Sequence, residues 1–177
     1  MKEQSNLIII SASSGKNLEL AKKFMSKSND LKISSEIIDL TEINIPLYNP
    51  RIHSENDISD EIYNLKKKLF KAEKWIICAP EYNGSIPPIL TNFIAWLSIS
   101  GDDFRELFNG QPIAIATFSG GPGIELLTTL RIQLVHLGSQ VLGRQLAANY
   151  SKPAQDKTVE DLLKRLIQMT RIKIEIN

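Results

Sequence analysis

The sequence predicts an α/β protein built on a parallel sheet, and three features carry that prediction. Short apolar runs of strand length alternate with stretches of helical period along the chain. The runs are apolar at nearly every position, as strands buried on both faces must be. The turns after three of them, residues 11–17, 80–85 and 119–123, are small, polar or glycine-rich.

Taken in order, the first strand is Leu7-Ile8-Ile9-Ile10, and a helix from Asn17 follows with Leu18, Ala21, Phe24 and Met25 on its inner stripe. Residues 32–40 alternate weakly and end in Ile37-Ile38, giving a second strand. Ile45-Pro46-Leu47-Tyr48-Asn49-Pro50 is then a loop, because two prolines close together break both periods. A helix over 58–71 turns Ile58, Ile62, Leu65 and Leu69 inward. The third strand is Trp75-Ile76-Ile77-Cys78-Ala79, and the next helix is opened by Pro87-Pro88, where a missing N–H costs little. The fourth strand covers 112–118. Its helix carries Ile124, Leu127, Leu130, Leu134 and Leu137 to a stop at Gly138. A short fifth strand is expected at 145–148, then a last helix from Thr158 with Val159, Leu162, Leu163, Leu166 and Ile167 on one stripe.

The chain has 177 residues, 42% hydrophobic and 23% charged, which suits a single domain over 1–177. With 21 Lys+Arg against 20 Asp+Glu the formal charge is +1, too weak a field to favour nucleic acid or an anionic membrane. The apolar run at 7–10 is shorter than a secretory signal requires, and 86–99 is interrupted by prolines and polar residues and falls short of a bilayer span. One cysteine, Cys78, and two histidines, His53 and His136, are too few for a structural zinc or an iron–sulfur cluster, so no metal site is expected. An intrachain disulfide is impossible, and a reducing cytoplasm is the natural setting.

In an open parallel sheet, ligands bind beyond the carboxyl ends of the strands, where strand order reverses. The three polar turns lie at such ends and suggest one shared ligand. The first offers hydroxyls of Ser11, Ser13 and Ser14, amides freed by Gly15, the Lys16 ammonium and a helix start, the groups a phosphate needs. It has neither the G-x-x-x-x-G-K-[ST] spacing of a nucleoside triphosphatase nor the G-x-G-x-x-G of a dinucleotide fold. Its plainer reading is a serine-rich turn capped by Asn17.

The second turn reads Pro80-Glu81-Tyr82-Asn83-Gly84-Ser85-Ile86-Pro87. Here the chain resembles the NADPH-dependent FMN reductase family of flavodoxin-like proteins, in which a P-E-Y-N-G-S-x-P loop follows the third strand. The resemblance extends through the preceding strand, the helix ending Ala95-Trp96-Leu97, the serine-rich turn and Ser119-Gly120-Gly121, covering most of residues 6–150. It implies a flavodoxin-like three-layer α/β/α sandwich with a five-stranded parallel sheet in the order 2-1-3-4-5, and FMN as cofactor. It implies that Ser11, Ser13, Lys16, Asn17 and Leu18 surround the ribityl phosphate. Pro80, Glu81, Tyr82, Asn83 and Gly84 would then run along the isoalloxazine, with Ser119, Gly120 and Gly121 closing its other side. Amides at the N1–C2 edge would stabilise the charge of the reduced ring.

The chain departs from the family pattern in two places. The first loop lacks the usual Gly-Ser opening and arginine, so phosphate affinity rests on amides, hydroxyls and Lys16. The helix after the second loop has Thr91 and Ala95 where many members carry a lysine and an aspartate. Ile89, Leu90, Phe93, Ile94, Trp96 and Leu97 are too many apolar residues for one face of that helix. The surplus face suggests another subunit, and the resemblance implies a homodimer or homotetramer; the alternative is burial under residues 102–109.

Other candidates have plain readings. Cys78 is a small buried hydrophobe, and His136 sits favourably at a helix C-terminus. Tyr48 either reaches over a ligand, its own or a neighbouring subunit's, or anchors its loop, and Lys66-Lys67-Lys68 is a solvated helix face.

The leading expectation is an oxidoreductase in which NADPH or NADH passes hydride to FMN N5 in a ping-pong cycle. Free flavins, quinones, azo compounds or oxidised metal ions are the acceptors. No protein acid, base or nucleophile is required, so no catalytic side chain is assigned. The alternative is a flavodoxin-type electron carrier with protein partners, against which stands the near-balanced charge. A third reading is a cofactor-free regulatory module, against which stands the lack of clustered aspartates after strands one and three.

Overall fold

The computed structural model describes residues 7–51, 59–99 and 103–172. The strands are β1 (Leu7–Ser11), β2 (Ser35–Asp39), β3 (Lys74–Cys78), β4 (Pro112–Phe118), β5 (Gln140–Val141) and β6 (Leu146–Ala148). The helices are α1 (Lys16–Asp30), α2 (Asp60–Lys71), α3 (Pro88–Ile99), α4 (Ile124–His136) and α5 (Asp156–Ile167), with a one-turn 3₁₀ helix at Leu40–Glu42. The sheet runs β2-β1-β3-β4-β5, with β6 also on β4, and every ladder is parallel. This is the expected strand order.

Side-chain alternation explains why the strands read as continuous apolar runs. Ile8, Ile10, Trp75, Ile77, Ile113 and Ile115 point to the layer containing α2, α3 and α4. Leu7, Ile9, Ile76, Cys78, Ala114 and Ala116 point to the layer of α1 and α5. The central strands β1, β3 and β4 therefore bury both faces, giving the α/β/α sandwich.

The fifth strand differs from expectation. Instead of one run at 145–148, two short pieces add to one edge of β4: Gln140 and Val141 pair with Pro112 and Ile113, and Leu146–Ala148 pair with Ala116–Phe118. Between them the chain leaves the ladder, and the Arg131 guanidinium holds it there. Its Nη2 donates to Leu142 O at 2.9 Å and to Gln145 Oε1 at 3.0 Å. The second strand also starts later than expected. Lys32 instead closes α1 in a left-handed conformation (φ 58°), its N–H donating to Asn29 O.

Helix boundaries shift by a residue or two. α1 begins at Lys16, and α5 begins at Asp156. α2 begins after Ser59, whose hydroxyl accepts the Ile62 N–H; Ile58 and His53 lie outside the described residues.

The surplus apolar face expected on α3 is absent. Leu90, Phe93, Ile94, Trp96 and Leu97 are all buried within the chain. Leu90, Phe93, Ile94 and Leu97 share one buried cluster with Leu107 and Phe108, and Ile43 and Ile45 pack against that cluster. The 46–48 segment is tied down as well. Trp96 Nε1 donates to Pro46 O at 2.7 Å, Asn92 Nδ2 donates to the same oxygen, Asn92 Oδ1 accepts the Tyr48 N–H, and the Tyr48 ring packs edge-on against Trp96. Tyr48 is thus an anchor in this fold. Helix α4, by contrast, exposes three apolar side chains, Ile124, Ile132 and Val135.

Candidate functional site

The carboxyl ends of β1, β3 and β4 lie at one pole of the sheet, as parallel pairing requires. Ala12 N–H donates to Cys78 O and Ala79 N–H to Ala116 O, carrying the ladders one step beyond the strands.

After β1 the chain turns through residues 12–15 into α1. Ser11 is fully buried, and its hydroxyl donates to Ser13 O at 2.8 Å, so it shapes the turn instead of facing outward. Gly15 is the N-cap residue and has no side-chain cap. Among the described residues nothing accepts from the N–H groups of Ser13, Ser14 or Gly15. These amides stand at the positive end of a helix of 15 residues, and a Cβ built on Gly15 would meet nothing within 4 Å. Free amides, a helix N-terminus and open space make an anion cradle. The Lys16 ammonium is 2.8 Å from Glu19 Oε2, and that hydrogen bond raises its pKa above the ordinary lysine value. Leu18 is half-buried beside it.

Asn17 does not cap the helix. It is buried, and its amide bridges to β4: Nδ2 donates to Phe118 O at 2.9 Å and Oδ1 accepts the Phe118 N–H at 2.8 Å.

After β3, Pro80 is buried and the chain forms a two-residue hairpin. Tyr82 and Ser85 exchange both backbone hydrogen bonds, while Asn83 (φ 51°) and Gly84 (φ 66°) are both left-handed. Two positive φ values define a type I′ turn, for which Asn-Gly is the preferred pair. Among the described residues the N–H groups of Asn83 and Gly84 are unpaired, and the Tyr82 ring is half-exposed. Glu81 faces the neighbouring loop: its N–H donates to Ser119 Oγ at 3.2 Å and its Oε2 accepts the Leu126 N–H at 3.2 Å.

After β4, Ser119 is buried, with its hydroxyl 3.0 Å from Thr117 Oγ1 and its N–H donating to Ala148 O. Gly120 and Gly121 are exposed, with no neighbour within 4 Å of a built Cβ. Gly123 adopts a left-handed φ of 68° and leads into α4. The three turns therefore meet through Asn17–Phe118, Glu81–Ser119 and Glu81–Leu126.

A feature absent from the sequence reading flanks this pole. A concavity of about 370 Å³ is lined by Lys16, Leu20, Phe118, Asn149 and Tyr150, with the Tyr150 ring edge-on to Phe118 at 5.1 Å. Its signal in the sequence was Asn149-Tyr150 directly after the last strand, another turn at the same pole. Cys78 is fully buried, and desolvation pushes its thiol pKa far above the ordinary value, in keeping with an inert core residue.

The family model described as NADPH-dependent FMN reductase matches residues 5–153. A quinone reductase of Escherichia coli (strain K12) is 33% identical over 114 residues, covering 63% of this chain and 59% of that protein. An NADPH azoreductase of Bacillus sp. (strain OY1-2) is 27% identical over 116 residues, covering 64% and 61%. The chain thus aligns with about three-fifths of the length of these curated relatives. Among solved structures, the flavoenzyme NAD(P)H:(acceptor) oxidoreductase FerB from Paracoccus denitrificans superposes with a TM-score of 0.73 at 18% identity, covering 93% of this chain and 98% of that one. A flavodoxin from the domain Archaea gives 0.63 at 13% identity, covering 92% and 94%. At these identities the structural likeness establishes the flavodoxin-like fold.

Proposed function

The chain belongs to the NADPH-dependent FMN reductase family, and from that premise we propose that it is an FMN-dependent oxidoreductase using NADPH or NADH to reduce a small-molecule acceptor. The observation that carries this reading is the set of unpartnered amides at the sheet's C-terminal pole, at Ser13, Ser14 and Gly15 in the first turn and at Asn83 and Gly84 in the second, with open space beside Gly15 and Gly84. Ser14, Gly15, Asn83 and Gly84 are exposed, so these donors are open to a ligand, and successive free amides in a turn suit an anionic, hydrogen-bonding one.

These residues fit FMN. The Ser13, Ser14 and Gly15 amides and the Ser13 and Ser14 hydroxyls would hold the phosphate at the start of α1, with Lys16 and Leu18 beside them. The hairpin of Tyr82, Asn83 and Gly84 would bind one edge of the ring and Gly120-Gly121 the other. Ser11, Asn17, Pro80, Glu81 and Ser119, with their polar groups or side chains turned inward, would support the loops. Bound FMN would supply the redox chemistry, hydride transfer from the nicotinamide nucleotide to N5 and onward reduction of a flavin, quinone, azo compound or oxidised metal ion in a ping-pong cycle. The protein's part is to fix the ring, keep one face open and aim amides where negative charge develops.

The same reading extends to one domain over the whole chain and to a cytoplasmic homodimer or homotetramer. Sedimentation equilibrium and cell fractionation test the latter.

The test is an absorption spectrum of purified protein with and without added FMN, followed by anaerobic addition of NADPH and then NADH. The expected result is a protein-bound band near ~450 nm that bleaches with a nicotinamide nucleotide. A bound flavin that neither nucleotide reduces would move the assignment to an electron carrier. A colourless protein that fails to take up FMN would leave a cofactor-free module.

A further inference from the structure

We infer that Glu81 is a positioning residue of this site, the clamp that fixes the 119–123 loop and offsets the positive end of α4 beside it. The inference rests on the FMN reading above. Two independent contacts run from this one residue. Its N–H reaches Ser119 Oγ, before the glycines, and its carboxylate reaches the Leu126 N–H, after them. Gly120 and Gly121 lie between these ties. Their further side-chain contact among the described residues is Asn149 Nδ2 to Gly121 O, at 3.5 Å.

The helix end explains why a carboxylate occupies this position. Gly123 leads into α4 without a side-chain cap, so the first amides of the helix need an acceptor from elsewhere. Glu81 provides one from 45 residues upstream. An anion there is favourable, and it cancels part of the positive charge at the helix start. With Glu81 in place, the ring-binding face has a rigid edge and a helix end that adds little positive field. Removing the charge while keeping the acceptor exposes that field, which favours the more negative, reduced state of a flavin beside it.

The experiment compares wild type, Glu81→Gln and Glu81→Ala. FMN affinity is read by flavin fluorescence quenching, the midpoint potential by equilibration with a reference dye, and Leu126 amide exchange in the apoprotein by hydrogen–deuterium exchange. Glu81→Ala should weaken FMN binding at least about tenfold and speed Leu126 exchange, because a charge-assisted tie is lost. Glu81→Gln should restore affinity to within about threefold while raising the midpoint potential, by about 30 mV for each tenfold preference gained for the reduced ring. An unchanged affinity in Glu81→Ala, or an unchanged potential in Glu81→Gln, overturns the proposal. Wild-type protein that binds no FMN overturns the function proposed above; the clamp itself then stands or falls on Leu126 exchange, and an unchanged rate in Glu81→Ala removes it. If Glu81→Ala does not fold, the Glu81→Gln potential decides.

Discussion

The Asn17 side-chain amide satisfies both backbone polar groups of Phe118, donating to its carbonyl at 2.9 Å and accepting its N–H at 2.8 Å. It acts as a short strand partner placed on a helix, and it locks the start of α1 to the end of β4. Asn17→Ala leaves two backbone groups unpaired and should cost about 2 kcal/mol of stability. Asn17→Asp should cost more, since one of its oxygens would face the Phe118 carbonyl. Urea denaturation of the apoproteins measures both, and equal stability of Asp and Ala variants would refute the two-way pairing.

The Asn83-Gly84 turn makes a second prediction. Both residues are left-handed, with φ values of 51° and 66°. Replacing the pair with Val-Val should strain the turn by about 1–2 kcal/mol per residue and abolish FMN retention through gel filtration. The helices and core lie away from this hairpin, so the far-ultraviolet circular dichroism spectrum should stay the same.

Two glycines of one loop should respond in opposite ways. A Cβ on Gly120 meets nothing within 4 Å, whereas one on Gly123 lies 2.6 Å from Thr117 Cγ2 at a φ of 68°. Gly120→Val should leave the apoprotein melting temperature close to wild type and weaken FMN binding, because the new bulk enters the open face. Gly123→Ala should destabilise the apoprotein by at least about 1 kcal/mol. A Gly120→Val variant with wild-type FMN affinity would exclude this face from the site.

The α1–α5 contact carries a pH dependence. Asp156 lies 2.8 Å from the Lys23 ammonium and 2.9 Å from that of Lys27. Hydrogen bonds from Lys23 and then Lys27 lower its pKa from 3.8 to about 2. A depressed carboxylate pKa stabilises the fold above the unfolded value and loses that contribution as pH falls through the folded one. Thermal melts should therefore show wild type above Asp156→Asn at neutral pH. The gap should close between about pH 4 and pH 2, and a gap constant through that window would show that the pair does not govern it.

Much of this protein was legible in its sequence because the signals are local. Strands with both faces buried are apolar throughout, helices show a 3.6-residue stripe, and Asn83-Gly84 selects its turn by its own backbone preferences. Class, strand order through the resemblance, and the turns at one pole all followed from such features. Partnerships across the chain did not. Asn17 reads locally as a cap, yet its partner stands 101 residues on. The apolar circumference of α3 reads as a free face until Pro46 and the 3₁₀ turn at Leu40–Glu42 are folded against it. The fifth strand divides between Val141 and Leu146, where Arg131, on α4, holds the Leu142 carbonyl that a continuous ladder would use. Local patterns record which conformation each segment prefers; which buried polar group meets which is decided only when the sheet order brings distant segments together and each desolvated donor must find an acceptor.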